Sequence, residues 1–180
     1  MKRLLLLRHA KAEMAPNGQA DHDRRLSSRG LRDAREVGAV IERQGWSPDF
    51  MLVSDAARTR ETLEQAMPQQ TASRTIEITP ALYDATAPDI LALIRTIPDT
   101  ATSLLVIGHN PGIGELARQL AAAGSLPDLH RLATRFPTSA LAVIALSAEH
   151  WADVGAPQAM AGEDQRLEAL VWSDPSGKAD

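Results

Sequence analysis

The chain has 180 residues, 44% hydrophobic and 23% charged, the balance of a soluble globular protein long enough for one sizeable core. Its 19 Lys and Arg against 23 Asp and Glu give a net charge of -4, so there is no broad basic footprint for nucleic acid or an anionic membrane, and any anion site is local. The absence of cysteine excludes disulfides, thiolate metal sites and thiol catalysis.

The N-terminal run Leu4-Leu5-Leu6-Leu7 is too short for a signal-peptide core or a membrane span, and a cytoplasmic protein is expected. It reads instead as a strand buried on both faces, delivering Arg8-His9 to the carboxyl end of a sheet, where open α/β folds place their ligands. Lys11 to Arg25, with Pro16 and Asn17-Gly18, reads as a loop. Ser27 or Ser28 then caps a helix in which Leu31, Ala34, Val37, Gly38 and Ile41 recur at helical spacing until Gly45. Phe50 to Val53 is a second buried strand. It ends in Ser54-Asp55-Ala56-Ala57-Arg58-Thr59-Arg60-Glu61-Thr62, which opens a helix through Leu63 and Met67 that Pro68 ends. Arg58 falls in the first turn, a positive helix end that suits an anion and not a cation, which hints at a bound anion beside it.

Thr75 to Ile78 is a third strand, followed by Pro80-Ala81-Leu82-Tyr83-Asp84 and a helix from about Pro88 to Ile97. Ser103 to Ile107 is a fourth strand, delivering Gly108-His109-Asn110-Pro111-Gly112 into a helix that runs to near Gly124. A short helix is expected around Leu126 to Leu132. Ala140 to Leu146 and Leu167 to Trp172 are two late strands, expected to pair antiparallel at a sheet edge. The repetition of strand, polar cluster and helix predicts a single three-layer α/β/α domain with a mostly parallel sheet over residues 1–172, and a flexible tail over 173–180.

Three apolar strands thus end in Arg8-His9, Arg58 and His109-Asn110, and parallel neighbours bring these groups to one sheet edge. Two arginines and two histidines in one pocket describe a phosphoryl site. A metal site on His9 and His109 is disfavoured, because the arginines repel a dication and no carboxylate cluster has ligand spacing. Gly108 to Gly112 lacks the spacing of a nucleotide loop. Pro111-Gly112 instead starts a helix whose N-terminus faces the expected phosphate. His22, His130 and His150 have no comparable context and read as surface or structural histidines.

Arg8-His9-Ala10 after a hydrophobic strand resembles the signature of the histidine phosphatase, or phosphoglycerate-mutase-like, superfamily. Ser54 to Thr62 resembles its Ser-Pro-x-x-Arg-x-x-x-Thr segment, with Asp55 in place of the usual proline, and Gly108-His109-Asn110 resembles its second histidine motif. The Arg8-His9-Ala10-Lys11 form, the short length and Gly-His-Asn-Pro-Gly are most similar to the SixA-like branch, whose named activity is phosphohistidine phosphatase. The resemblance implies that His9 is a nucleophile that becomes transiently phosphorylated. It implies that Arg8 and Arg58 hold the phosphoryl oxygens, that His109 binds the same group with Asn110 beside it, and that no cofactor or metal is needed. The residue types fit such roles. A neutral imidazole attacks phosphorus, adjacent arginines keep His9 neutral by like-charge repulsion, and guanidinium forks match phosphoryl oxygens.

The family's general-acid glutamate segment is not reproduced between Ala81 and Ile90. Asp84 is the nearest carboxylate in the corresponding region, and Glu13 and Asp23 compete with it. The expected partner is a phosphohistidine in a protein, since the short stretch from Met67 to Ser103 leaves little room for a large cap over the pocket. A small phosphoester or nucleotide is the alternative, and a non-catalytic phosphate-binding module on the same fold is a third.

Overall fold

The computed structural model describes residues 1–16, 18–68, 74–156 and 165–172. Seven strands form one sheet: β1 (Lys2–Arg8), β2 (Phe50–Ser54), β3 (Thr75–Thr79), β4 (Ser103–Gly108), β5 (Ala123–Gly124), β6 (Leu141–Leu146) and β7 (Gln165–Val171), in the order β3-β2-β4-β1-β6-β7-β5. Five α-helices, α1 (Ser28–Arg43), α2 (Ala57–Ala66), α3 (Ala87–Ile94), α4 (Gly112–Leu120) and α5 (Leu126–Thr134), complete the domain. The sheet is parallel except for β6, which runs antiparallel to both β1 and β7.

The leucine run explains the layering. All four leucines are fully buried, and their side chains alternate between faces. Leu4 and Leu6 join Leu104, Val106, Ile90, Ile113 and Leu132 on the face covered by α3, α4 and α5, whereas Leu5 and Leu7 join Met51, Val53, Val37, Ile41 and Leu63 under α1 and α2. A strand with apolar residues at every position needs both faces covered, and the three-layer domain supplies that.

Most expected elements lie where periodicity placed them. Ser27 caps α1 by accepting from the Gly30 N–H, and Gly45 follows the helix with φ 67°. α3 starts one residue earlier than expected, because Thr86 and Asp89 form a reciprocal capping box around Pro88. α4 ends at Leu120, short of Gly124, so that Ala123 and Gly124 can pair with β7. The late strands do pair antiparallel, but β6 is not at an edge: it lies beside β1 in the middle of the sheet. Its unbroken apolar sequence, buried almost throughout, is the signature of an interior strand. Only a 3-10 turn (Pro80–Leu82) and α3 lie between β3 and β4, so no large cap is inserted there. The expected tail, residues 173–180, lies outside the described residues. Among the described residues no helix is long and apolar enough to cross a membrane.

Candidate active site

The pairing register fixes the site. Arg8 ends β1 opposite Gly108, the last residue of β4, and Ser54 ends the neighbouring β2. Arg8, His9, Ser54 and His109 therefore emerge at one edge, and Arg58 reaches it from the first turn of α2. The peptide of His9 is held from both sides. Its N–H donates to the Gly108 carbonyl at 3.1 Å, and its own carbonyl accepts from the Ser139 N–H at 3.2 Å.

The ring of His9 has one assigned nitrogen. Nδ1 lies 2.8 Å from the Ala10 carbonyl, which can only accept, so Nδ1 carries the proton and Nε2 keeps a lone pair. Burial pushes the pKa of His9 down to about 3; the bond to Ala10 opposes this, and repulsion from His109, Arg58 and Arg8 adds to it. His9 is therefore neutral as expected, but desolvation contributes more than the arginines. The His109 ring lies 5.2 Å from that of His9. Arg58 Nη2 points at His109 Nδ1 at 3.3 Å, and a guanidinium only donates, so Nδ1 accepts. Nε2 of neutral His109 then donates to Ser54 Oγ at 2.8 Å. Burial, with Arg58 second, lowers the pKa of His109 to about 4.

The rest of the Ser54 to Thr62 segment is structural support. Thr59 Oγ1 donates toward the carbonyls of Ser54 and Ala56, closing the turn into α2. Thr62 Oγ1 donates to the Arg58 carbonyl at 2.6 Å and accepts from the Ala10 N–H at 3.0 Å. The chain after His9 is thereby tied to the helix that carries Arg58. Asp55, where the resemblance expects proline, accepts from or pairs with His22 Nε2 at 2.9 Å.

Arg8 is half-buried, and among the described residues it has no carboxylate partner. Its Nη1 donates to the Phe136 carbonyl at 3.0 Å, while its buried Nε has no partner. Burial lowers its pKa. Asn110 donates through Nδ2 to the same Phe136 carbonyl at 2.8 Å, leaving its second amide N–H uncommitted, and its buried Oδ1 is unpartnered. The expected residues Arg8, His9, Arg58, His109 and Asn110 are thus assembled at one place.

Asp84 is not part of that assembly. It is exposed, in the left-handed region with φ 51°, and its side chain makes no hydrogen bond or ion pair among the described residues. Tyr83 takes the inward position and Asp84 is turned out. Glu13 is exposed, and Asp23 lies 3.5 Å from His22 Nδ1 at the surface. The carboxylate that reaches the pocket is Asp21, which the sequence reading passed over. Its carbonyl accepts from Arg58 Nη1 at 2.6 Å and its Oδ2 from Arg58 Nη2 at 2.9 Å. Oδ2 also accepts from the Tyr83 hydroxyl and Oδ1 from Arg24, each at 2.8 Å. Arg24, then Tyr83 and Arg58, hold this carboxyl well below the usual carboxylate range. Tyr83, the chain's single tyrosine, lies edge-on to His109 at 5.3 Å and to His22 at 4.9 Å. Among the described residues no group of three or more His, Asp or Glu is placed to hold a metal ion.

Comparison with known proteins agrees with this architecture. The sequence profile of the histidine phosphatase superfamily (branch 1) matches residues 4–125. An uncharacterised protein of Mycobacterium tuberculosis (strain H37Rv) is 37% identical over 153 residues, covering 82% of this chain and 91% of that one. The crystal structure of a protein assigned as phosphohistidine phosphatase SixA from Agrobacterium tumefaciens superposes with a TM-score of 0.76 at 28% identity, over 96% of this chain and 98% of that one. A second structure of a protein so assigned, from Nakamurella multipartitia, gives a TM-score of 0.78 at 29% identity over 94% and 95%. The chain belongs to the histidine phosphatase superfamily, branch 1, and is an enzyme of the phosphatase class.

Proposed function

We propose that the enzyme removes phosphoryl groups through a phosphohistidine at His9, and that its substrate is a phosphohistidine in a partner protein. The observation that carries the first part is a neutral histidine with a free Nε2 lone pair beside Arg8, a half-buried cation that lacks a carboxylate partner among the described residues and keeps an unused N–H. Such a cation calls for an anion, and the neighbouring lone pair is a nucleophile for the phosphorus of a phosphoryl anion held there.

In the first step Nε2 of His9 forms a bond to phosphorus as the bond to the leaving group breaks. Arg8 and Arg58 hold the phosphoryl oxygens, with His109 and the second amide N–H of Asn110 beside them. Nδ1 keeps its proton on the Ala10 carbonyl, which favours the positive charge that develops on the phosphorylated ring. In the second step water forms the new P–O bond, the Nε2–P bond breaks, and phosphate leaves.

Two features support a protein phosphohistidine as substrate. With no large cap between β3 and β4, the pocket admits a surface side chain. The carboxylate at the pocket, Asp21, is held ionised, so it is poorly suited to protonate an alkoxide. A phosphoramidate needs less help, since its leaving nitrogen is readily protonated by solvent. The relatives assigned as phosphohistidine phosphatases point the same way.

The test is a comparison of kcat/KM on a histidine-phosphorylated protein with a panel of small phosphoesters and nucleotides, with His9→Ala in parallel. The expected result is a marked preference for the phosphoprotein and loss of turnover in the variant. Strong preference for one small ester overturns the substrate. Wild-type turnover by a folded His9→Ala overturns the nucleophile.

A further inference from the structure

We infer that Asp21 is a positioning residue for phosphoryl transfer, gripping one edge of the Arg58 guanidinium so that its other edge faces the pocket. The inference rests on the reading of Arg58 as a phosphoryl ligand.

A guanidinium is planar, and its five N–H donors point in fixed directions. Asp21 occupies the end of the fork, its carbonyl accepting a hydrogen bond from Nη1 and its carboxylate one from Nη2. The second Nη2–H points at Nδ1 of His109. Planarity puts the Nε–H on the same edge as that second Nη2–H, so this edge is turned toward the histidine pair. Asp21 therefore does not compete with a phosphoryl group for the same donors. It takes the outer edge and leaves the Nε–H on the inner edge free for a phosphoryl oxygen, beside the Nη2–H that His109 Nδ1 accepts.

The grip is itself braced. The Arg58 side chain is 6% exposed and that of Asp21 53%, so Asp21 works from the rim inward. Arg24 holds Oδ1, and the Tyr83 hydroxyl shares Oδ2 with Arg58. The turn at Asp21–Asp23 is pinned at its next residue as well, since His22 pairs with Asp55 just ahead of α2. The short stretch Asp21–Asp23 thus completes the site, although it carries none of the motif residues. These donors keep the carboxyl ionised, so the grip holds throughout the neutral range.

The experiment is a double-mutant cycle in the full chain. Asp21→Ala, Arg58→Ala and the double variant are compared with wild type for kcat and KM on a histidine-phosphorylated protein, and for binding of inorganic phosphate by calorimetry. Misplacing a catalytic group by about 1 Å costs up to about 100-fold, so Asp21→Ala is expected to lower kcat/KM by about 10-fold to 100-fold, mostly in kcat, and to weaken phosphate binding. In the Arg58→Ala background the same change should cost less than about twofold, because its effect passes through Arg58. Tyr83→Phe, which removes one brace and keeps the ring, should give a smaller loss in the same direction, and with Asp21→Asn it carries the cycle if Asp21→Ala does not fold. Equal losses in both backgrounds, or tighter phosphate binding in Asp21→Ala, would overturn the inference. A wild-type enzyme that neither turns over the phosphoprotein nor binds phosphate overturns the proposed function instead, and the inference with it.

Discussion

Ser54→Ala isolates one hydrogen bond in the centre of the site. Ser54 is fully buried, and its Oγ is the acceptor for His109 Nε2 at 2.8 Å. Removing the hydroxyl leaves a buried imidazole N–H without a partner, at a cost of about 1–3 kcal/mol. For a domain of this size that corresponds to a fall in Tm of about 2–12 °C. The second effect is on the ring. Without Ser54, Arg58 alone holds the ring through Nδ1, so His109 loses one of its two anchors and kcat falls by about 10-fold, within the range seen when a catalytic group is misplaced. Denaturant unfolding and steady-state kinetics on the same preparation read both effects. A variant with wild-type stability and wild-type kcat would refute the assignment of His109 Nε2 as a donor to Ser54.

The two pocket histidines predict a pH dependence with a definite sign. Both have folded pKa values, about 3 for His9 and about 4 for His109, below the ordinary 6.5. Between those limits the unfolded chain binds more protons, so their contribution to stability is fully present above about pH 6.5 and is lost as pH falls toward 4 and then 3. Heteronuclear NMR should show both rings neutral at pH 5.5, and a ring that titrates near 6.5 would contradict the burial argument. Arg8→Lys keeps a charge but cannot reach both a phosphoryl oxygen and the Phe136 carbonyl through a fork, and a loss of about 100-fold in kcat/KM is expected from removal of a transition-state donor. A change below about threefold would show that Arg8 acts only as a point charge. Gly112→Ala tests the packing under the second histidine motif. A Cβ there would lie 2.0 Å from the Ala85 carbonyl oxygen, so the N-terminus of α4 must shift. Loss of stability by about 1–3 kcal/mol, measured by denaturant unfolding, is expected from such overpacking, and an unchanged midpoint would contradict the close approach.

Much of this was legible in the sequence because the relevant signals are local. Leu4 to Leu7 is apolar at every position, which only a strand covered on both faces accommodates, and Arg8, His9, Arg58 and His109 follow directly on such strands or open the next helix. What the sequence left hidden depends on contacts distant along the chain. β6 was expected at an edge, but its neighbour β1 is set by pairing across more than a hundred residues. Asp21 lies in a loop with no periodicity, and its value comes from Arg58, 37 positions away. The Tyr83 hydroxyl that meets Asp21 is 62 positions away, so nothing local in the sequence joins the two. The Phe136 carbonyl that braces Arg8 and Asn110 is a backbone group and has no sequence signature. The neutrality of His9 was anticipated from its arginines, whereas its main cause, desolvation, depends on how the loops close over the ring.

Turnover by the proposed route requires that His9 Nε2 carry the phosphoryl group. The most direct measurement is rapid acid-free quench of the enzyme during turnover of a histidine-phosphorylated protein, followed by mass spectrometry of the intact and digested chain, with His9→Ala alongside. The expected result is an acid-labile, base-stable phosphate on His9 that forms and decays at the rate of turnover and is absent from the variant. Turnover with no phosphate on His9, or with phosphate on another residue, would contradict it.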